Sequence, residues 1–184
     1  LAVWQLNLIL AIFRHLTNHL PEMKRIQIAF LLLVAAVAHA QTNFDTVKIR
    51  PQRLAENIYM LKGSGGNIGV LTGPDGVLMI DDQFAPLSEK INAAIKAIDP
   101  GSIRFLINTH LHGDHSGGNE NFKKLGVTIV AQEMVRDRMS KESFNARANR
   151  TFPPRDKDAW PVVTFDNRMS FHMNGEDVVM YHFL

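Results

Sequence analysis

Three of the chain's eight histidines and one aspartate fall within six residues: His110, His112, Asp114 and His115. Imidazole nitrogen and carboxylate oxygen suit zinc or a similar first-row divalent ion, and with no cysteine in the chain no thiolate is on offer. His110 and His112 stand two apart and in extended chain project to one side. Asp114 and His115 follow Gly113, where the backbone can turn and aim a second pair elsewhere. A lone histidine at a strand end is ordinarily a satisfied polar residue. Four such groups spaced H-x-H-x-D-H have little structural use together without a cation, so the spacing predicts a metal site.

The flanking elements suit that role. The apolar run Ile103 to Ile107 reads as a buried strand, and Gly117 and Gly118 lead out into a helix from Gly118 to Leu125 that Gly126 ends. Val127 to Val130 is another strand. Upstream, Asn57 to Leu61 alternates, breaks at Gly63-Ser-Gly-Gly66, and resumes as Asn67 to Thr72. Gly73-Pro-Asp-Gly76 then turns the chain into Val77 to Ile80, which is hairpin chemistry. Gly63 to Gly66 is a plain turn or a flap beside the site. It is not a P-loop, because no helix with a Lys-Ser/Thr start follows. Asp81 and Asp82 end the strand, either as capping and turn residues or as site members. Pro86 opens a helix with Leu87, Ile91, Ala94, Ile95 and Ile98 at helical spacing, stopped by Asp99-Pro-Gly101.

Beyond the metal loop, Gln132 to Arg150 reads as one helix whose scattered charges (Arg136, Arg138, Lys141, Arg147, Arg150) form a solvated face or border a cleft. Phe152 to Pro161 is a loop, with Trp160 either walling the cleft or simply packing. Val162 to Phe165 is a strand. Met169 to His172 and Val178 to Phe183 flank Asn174-Gly175, a strong short hairpin signal. His172 alternates within its strand and reads as surface or core. Helices and strands alternating around a loop at a strand's C-terminal end predict a layered α/β architecture.

Length and composition agree with one globular domain: 184 residues, 46% hydrophobic and 21% charged. The first 40 residues stand apart. Met23-Lys-Arg25 is a basic n-region, Ile26 to Ala38 an apolar h-region, and Ala38-His-Ala40 a small-x-small cleavage site. Residues 23–40 are therefore expected to be a secretory signal peptide, with a retained membrane anchor as the alternative, and the mature protein to be periplasmic or secreted. Residues 1–22 are expected to be upstream sequence read in frame, the alternative being a membrane-associated extension. Removing the first 40 residues removes the chain's net charge of +2 and leaves 17 basic against 17 acidic residues. No general basic face for nucleic acid is expected, nor membrane association after cleavage. A small-molecule substrate is.

The stretch Thr109-His-Leu-His-Gly-Asp-His-Ser-Gly-Gly-Asn119 resembles the signature of the metallo-β-lactamase-fold hydrolases. The resemblance extends over about Ala55 to Phe183. It implies an αββα sandwich, incomplete here: the N-terminal part of the domain, from residue 41 to residue 184. It also implies one or two zinc ions, with His110 and His112 helping to hold one and Asp114 and His115 the other. Asp114 would further orient the nucleophile or shuttle a proton. Asp81 would support the ligand loop from behind, and Asp82 is left as a turn residue. Zinc would supply a hydroxide for attack on a carbonyl or related ester or amide. In that family a further zinc-binding His follows a strand like Val178 to Phe183, and a bridging Asp and a last His come later. These are expected beyond Leu184, since His182 belongs to the strand that leads up to that motif. Residues 41–184 alone are expected to bind metal weakly and to turn over no substrate. The open readings are a zinc hydrolase of unspecified substrate, a β-lactamase proper, and an inactive metal-binding fragment.

Overall fold

The computed structural model describes residues 43–146 and 149–183. The expected upstream segment 1–22 and signal peptide 23–40 lie outside the described residues. A four-strand antiparallel meander comes first: β1 (Arg50–Arg53), β2 (Ile58–Lys62), β3 (Ile68–Leu71) and β4 (Val77–Ile80). Helix α1 (Ser88–Ile98) then crosses to β5 (Ile103–Asn108), which runs parallel to β4. The short helices α2 (Gly113–Ser116) and α3 (Asn119–Lys124) lead to β6 (Thr128–Gln132), also parallel. After α4 (Glu133–Met139), a hairpin of β7 (Ser143–Asn145) and β8 (Arg150–Phe152) precedes β9 (Val163–Phe165). The seven-stranded sheet has the order β1-β2-β3-β4-β5-β6-β9, and β10 (Arg168–Met173) with β11 (Glu176–Tyr181) forms a separate two-stranded sheet.

Strands β4, β5 and β6 are apolar runs because both sheet faces are covered. On one face Val70, Met79, Leu106 and Ile129 pack against Leu87, Ile91 and Ile95 around α1 and Phe122 of α3. On the other, Leu71, Leu78, Ile107 and Val130 meet Met173, Met169, Phe171 and Met180 of the β10–β11 hairpin. The Phe105 and Phe171 rings sit 4.8 Å apart across that interface. Each fully buried Leu or Ile contributes about 1.5–3 kcal/mol relative to exposure. The expected layers are therefore present in the order helix, sheet, sheet, an incomplete αββα sandwich. The hairpin's turn is fixed by Asn174 at φ 56° and Gly175 at φ 79°, the left-handed pair that a two-residue turn requires.

One expected element is wrong. The helix from Gln132 to Arg150 ends at Met139, where Ser140 N–H closes it on Arg136 O. Only Val135 and Met139, one turn apart, are buried on it, and the apolar stripe does not continue. Instead Phe144 pairs with Thr151 across a β7–β8 hairpin whose strand residues are all exposed. Lys141 bridges Asp137 at 2.5 Å, one helical turn back, and Arg136 lies 5.4 Å over the Trp160 ring. Trp160 is half-buried against Ala131, Val135 and Met139, its indole N–H donating to Arg155 O. The last strand is shifted from the expected span, since its ladder runs Glu176 to Tyr181 and His182 and Phe183 lie past it.

Candidate metal centre

β5 ends at Asn108, and the next seven residues carry all four expected ligands into the top of the sheet. His112 is the N-cap of α2 in extended conformation, and α2 itself begins at Gly113. Asp114 and His115 therefore sit on the helical turn, while His110 lies in the bend after β5 and His112 alone is extended. The His110 and His115 ring centroids are 4.0 Å apart, and those of His110 and His112 are 4.8 Å apart and nearly perpendicular. His115 Nε2 lies 3.5 Å from Asp114 Oδ2. Two donors on one tetrahedral zinc at ~2.0–2.1 Å each are separated by about 3.3 Å, so that spacing is near what a shared ion needs.

The tautomers follow from the hydrogen bonds. Asp81, just past β4, accepts from Thr109 N–H and from Thr109 Oγ1–H, both at 2.8 Å. His115 Nδ1 is 2.7 Å from the same carboxylate and must donate to it, which leaves Nε2 with a free lone pair. Thr109 has given its only hydroxyl proton to Asp81, so at 3.0 Å from His110 Nδ1 it accepts, and His110 Nε2 is likewise left as a donor to metal. Burial, and after it the neighbouring His115 and His112, hold His110 below the ordinary imidazole value and favour its neutral, ligating form. Asp81 does this from a left-handed backbone (φ 62°), a conformation that aspartate tolerates better than most residues.

The donor chemistry thus fits zinc, and the pair Asp114 and His115 fits one ion. Among the described residues, however, no three His, Cys, Asp or Glu side chains converge as a complete metal cage. His182 and His172 do not join the cluster. His182 lies beyond β11, and the exposed His172 bonds Asp177 at 2.5 Å on the distant face of its hairpin.

Four residues around the loop were not expected to act there. Arg155 donates to Ser116 O and Ser116 Oγ at 3.0 Å and to Leu111 O at 2.5 Å, tying the last residue of α2 to the residue before its N-cap. Thr109 relays between Asp81 and His110 as described. Gln83, fully buried, donates to Gly66 O at 2.5 Å and accepts from Ser64 N–H at 3.2 Å. Asp82 is not the turn residue expected. It is fully buried and accepts from Gly118 N–H at 2.9 Å, while its Oδ2 has no partner among the described residues. Burial pushes its carboxyl well above the ordinary range, against the Gly118 bond and the Arg155 charge. The signal for Asp82 and Gln83 was the polar triplet Asp81-Asp82-Gln83 directly after a buried strand, where three polar residues in a row demand partners.

The Gly63–Gly66 loop closes the other side. A Cβ on Gly66 would lie 2.4 Å from His115 Cε1, and one on Gly65 would lie 2.6 Å from Asp114 Cβ. The glycines are there because this backbone touches the ligand residues directly.

A family profile described as the metallo-beta-lactamase superfamily matches residues 61–178. A "Metallo-beta-lactamase type 2" from Elizabethkingia meningoseptica is 25% identical over 170 residues, taking in 87% of this chain and 62% of its own length. A class B3 di-zinc metallo-beta-lactamase from an Alaskan soil metagenome superposes with a TM-score of 0.62 at 21% identity, over 78% of this chain and 55% of that one. A metallo-beta-lactamase with a HARLDQ motif from Cronobacter sakazakii gives 0.59 at 21% identity, over 70% of this chain and 50% of that one. The chain thus spans between half and two thirds of the length of these relatives. With its sheet order, its H-x-H-x-D-H loop and a profile match over most of its length, the chain belongs to the metallo-beta-lactamase superfamily.

Proposed function

We propose that this protein is a zinc-dependent hydrolase of a small carbonyl-containing or related ester or amide substrate. The observation that carries the reading is the gathering of His110, His112, Asp114 and His115 on one loop, with His115 oriented by Asp81 at 2.7 Å. His110 and His112 would help hold one ion, and Asp114 and His115 another. When bound, zinc supplies Lewis-acid polarisation of the scissile carbonyl and acidifies water to near neutrality. Asp81 fixes the tautomer of His115 and, through Thr109, that of His110. Asp114, about one third exposed, reaches solvent as well as the ligand cluster and would orient the attacking water and take its proton. The Gly63–Gly66 backbone excludes water from one side of that cluster.

A panel of a β-lactam, a thioester, a lactone and a phosphodiester tests this reading with the protein expressed from its complete reading frame. Turnover of one class, lost by at least about a hundredfold in Asp114→Asn, is the expected result. Turnover of none, or turnover untouched by that change, contradicts it. The β-lactam arm has its own support, since the relatives named above are β-lactamases by name. Nitrocefin hydrolysis separates that reading from the broader one.

The proposal includes export, supported by the order of Met23-Lys-Arg25, the apolar run to Ala38 and Ala38-His-Ala40. A mature N-terminus at Gln41 in the periplasmic fraction is expected. Retention of residues 23–40 in that fraction contradicts it.

A further inference from the structure

Gln83 is an odd residue to find where it is. It is fully buried, and its backbone is left-handed at φ 56°, which a glutamine adopts only when its surroundings hold it there. Three of its polar groups do not serve its own element. The main-chain oxygen accepts from Gly117 N–H at 2.9 Å, on the exit of the metal loop. The side-chain amide spans the Gly63–Gly66 loop, donating to Gly66 O and accepting from Ser64 N–H. Gly63 leaves room for it, since a Cβ there would fall 2.4 Å from Gln83 Oε1.

We propose that Gln83 is a positioning residue that straps the Gly63–Gly66 loop against Asp114 and His115, making it a fixed wall beside the ligand residues rather than a free flap. Any buried amide must find partners, so pairing alone proves little. The choice of partners is what matters. One residue bonds the loop that carries the ligands and the loop that lies on them, and the second loop meets the ligands through glycines at Gly65 and Gly66. Without the amide, Ser64 N–H and Gly66 O lose their inward partners, and a stretch with three glycines in four residues has little else to hold it. That the wall borders a catalytic cleft rests on the hydrolase reading; the strap itself does not.

Amide hydrogen exchange on the full chain, with and without zinc, tests it in Gln83→Met and Gln83→Glu. Glutamate keeps an acceptor for Ser64 N–H but cannot donate to Gly66 O. Exchange across Ser64 to Asn67 is expected to rise about tenfold or more in Gln83→Met and less at Ser64 in Gln83→Glu, with β4 and β5 protection unchanged. Unchanged exchange in the loop, or loss of protection spread equally over the core strands, overturns the strap. Exchange needs no turnover, so failure of the hydrolase reading would be seen separately in the substrate panel. For a substrate that the wild type does hydrolyse, Gln83→Met is expected to raise KM by about fivefold with kcat within about twofold. A loss confined to kcat overturns the positioning role.

Discussion

Asp81 Oδ2 lies 2.7 Å from His115 Nδ1, and both oxygens of the same carboxylate hold Thr109. One buried side chain therefore anchors the loop at its entry and orients an imidazole near its exit. Carboxylates behind metal-ligating histidines typically contribute roughly 10–100-fold in metal affinity. Asp81→Ala is expected to weaken zinc binding by about that factor, measured by competition with a chromogenic chelator. Unchanged affinity would show that His115 needs no such partner.

Gly66 lies against Cε1 of the same ring. Its missing Cβ would stand 2.4 Å from His115 Cε1, so Gly66→Ala must displace the imidazole or the loop. Zinc affinity is expected to fall by about tenfold or more with the thermal midpoint of the metal-free protein shifted by only a few degrees. Equal affinity in wild type and variant, in a calorimetric titration, would place the loop away from the ring in solution.

Arg155 ties Leu111 and Ser116 together with a guanidinium that a lysine cannot imitate, since one ammonium does not span both carbonyls. Arg155→Met is expected to destabilise the fold by about 2–3 kcal/mol, and Arg155→Lys to recover less than half of that. Denaturant unfolding measures both. Full recovery by lysine would reduce the contact to charge alone.

Asp82 sets a pH dependence. Its folded carboxyl holds a proton more tightly than in the unfolded chain, because of burial above all. The folded state therefore binds more protons, and this contribution is complete below the ordinary carboxylate range and is lost as pH rises through the raised value. Asp82→Asn retains an acceptor for Gly118 N–H and carries no charge. Its stability relative to wild type is expected to grow with rising pH to a gain of about 1–3 kcal/mol and then level off. A constant difference between pH 4 and 9 in urea unfolding would contradict the assignment.

Local sequence carried the parts of this structure whose causes are local. The helical spacing from Leu87 to Ile98, the Asn174-Gly175 turn and the H-x-H-x-D-H spacing each report chemistry within a few residues. The segment after Met139 misled because no Gly or Pro stops a helix before Arg150; what stops it is pairing of Phe144 with Thr151. Asp82 read as a turn residue and Gln83 drew no assignment because their partners are remote: Gly118 is 36 positions from Asp82, and Gly66 is 17 from Gln83. Arg155, 39 and more positions from the carbonyls it holds, was hidden for the same reason.

The most direct measurement is zinc content and hydrolytic turnover on one sample of the protein from its complete reading frame, before chelation, after it, and after zinc is restored. One or two zinc ions per chain are expected, with turnover lost with them and regained on their return, and the double variant His110→Ala, His112→Ala is expected to lose activity and to keep at most the ion held by Asp114 and His115. Turnover that persists in chelated protein shown by elemental analysis to hold no metal would contradict it.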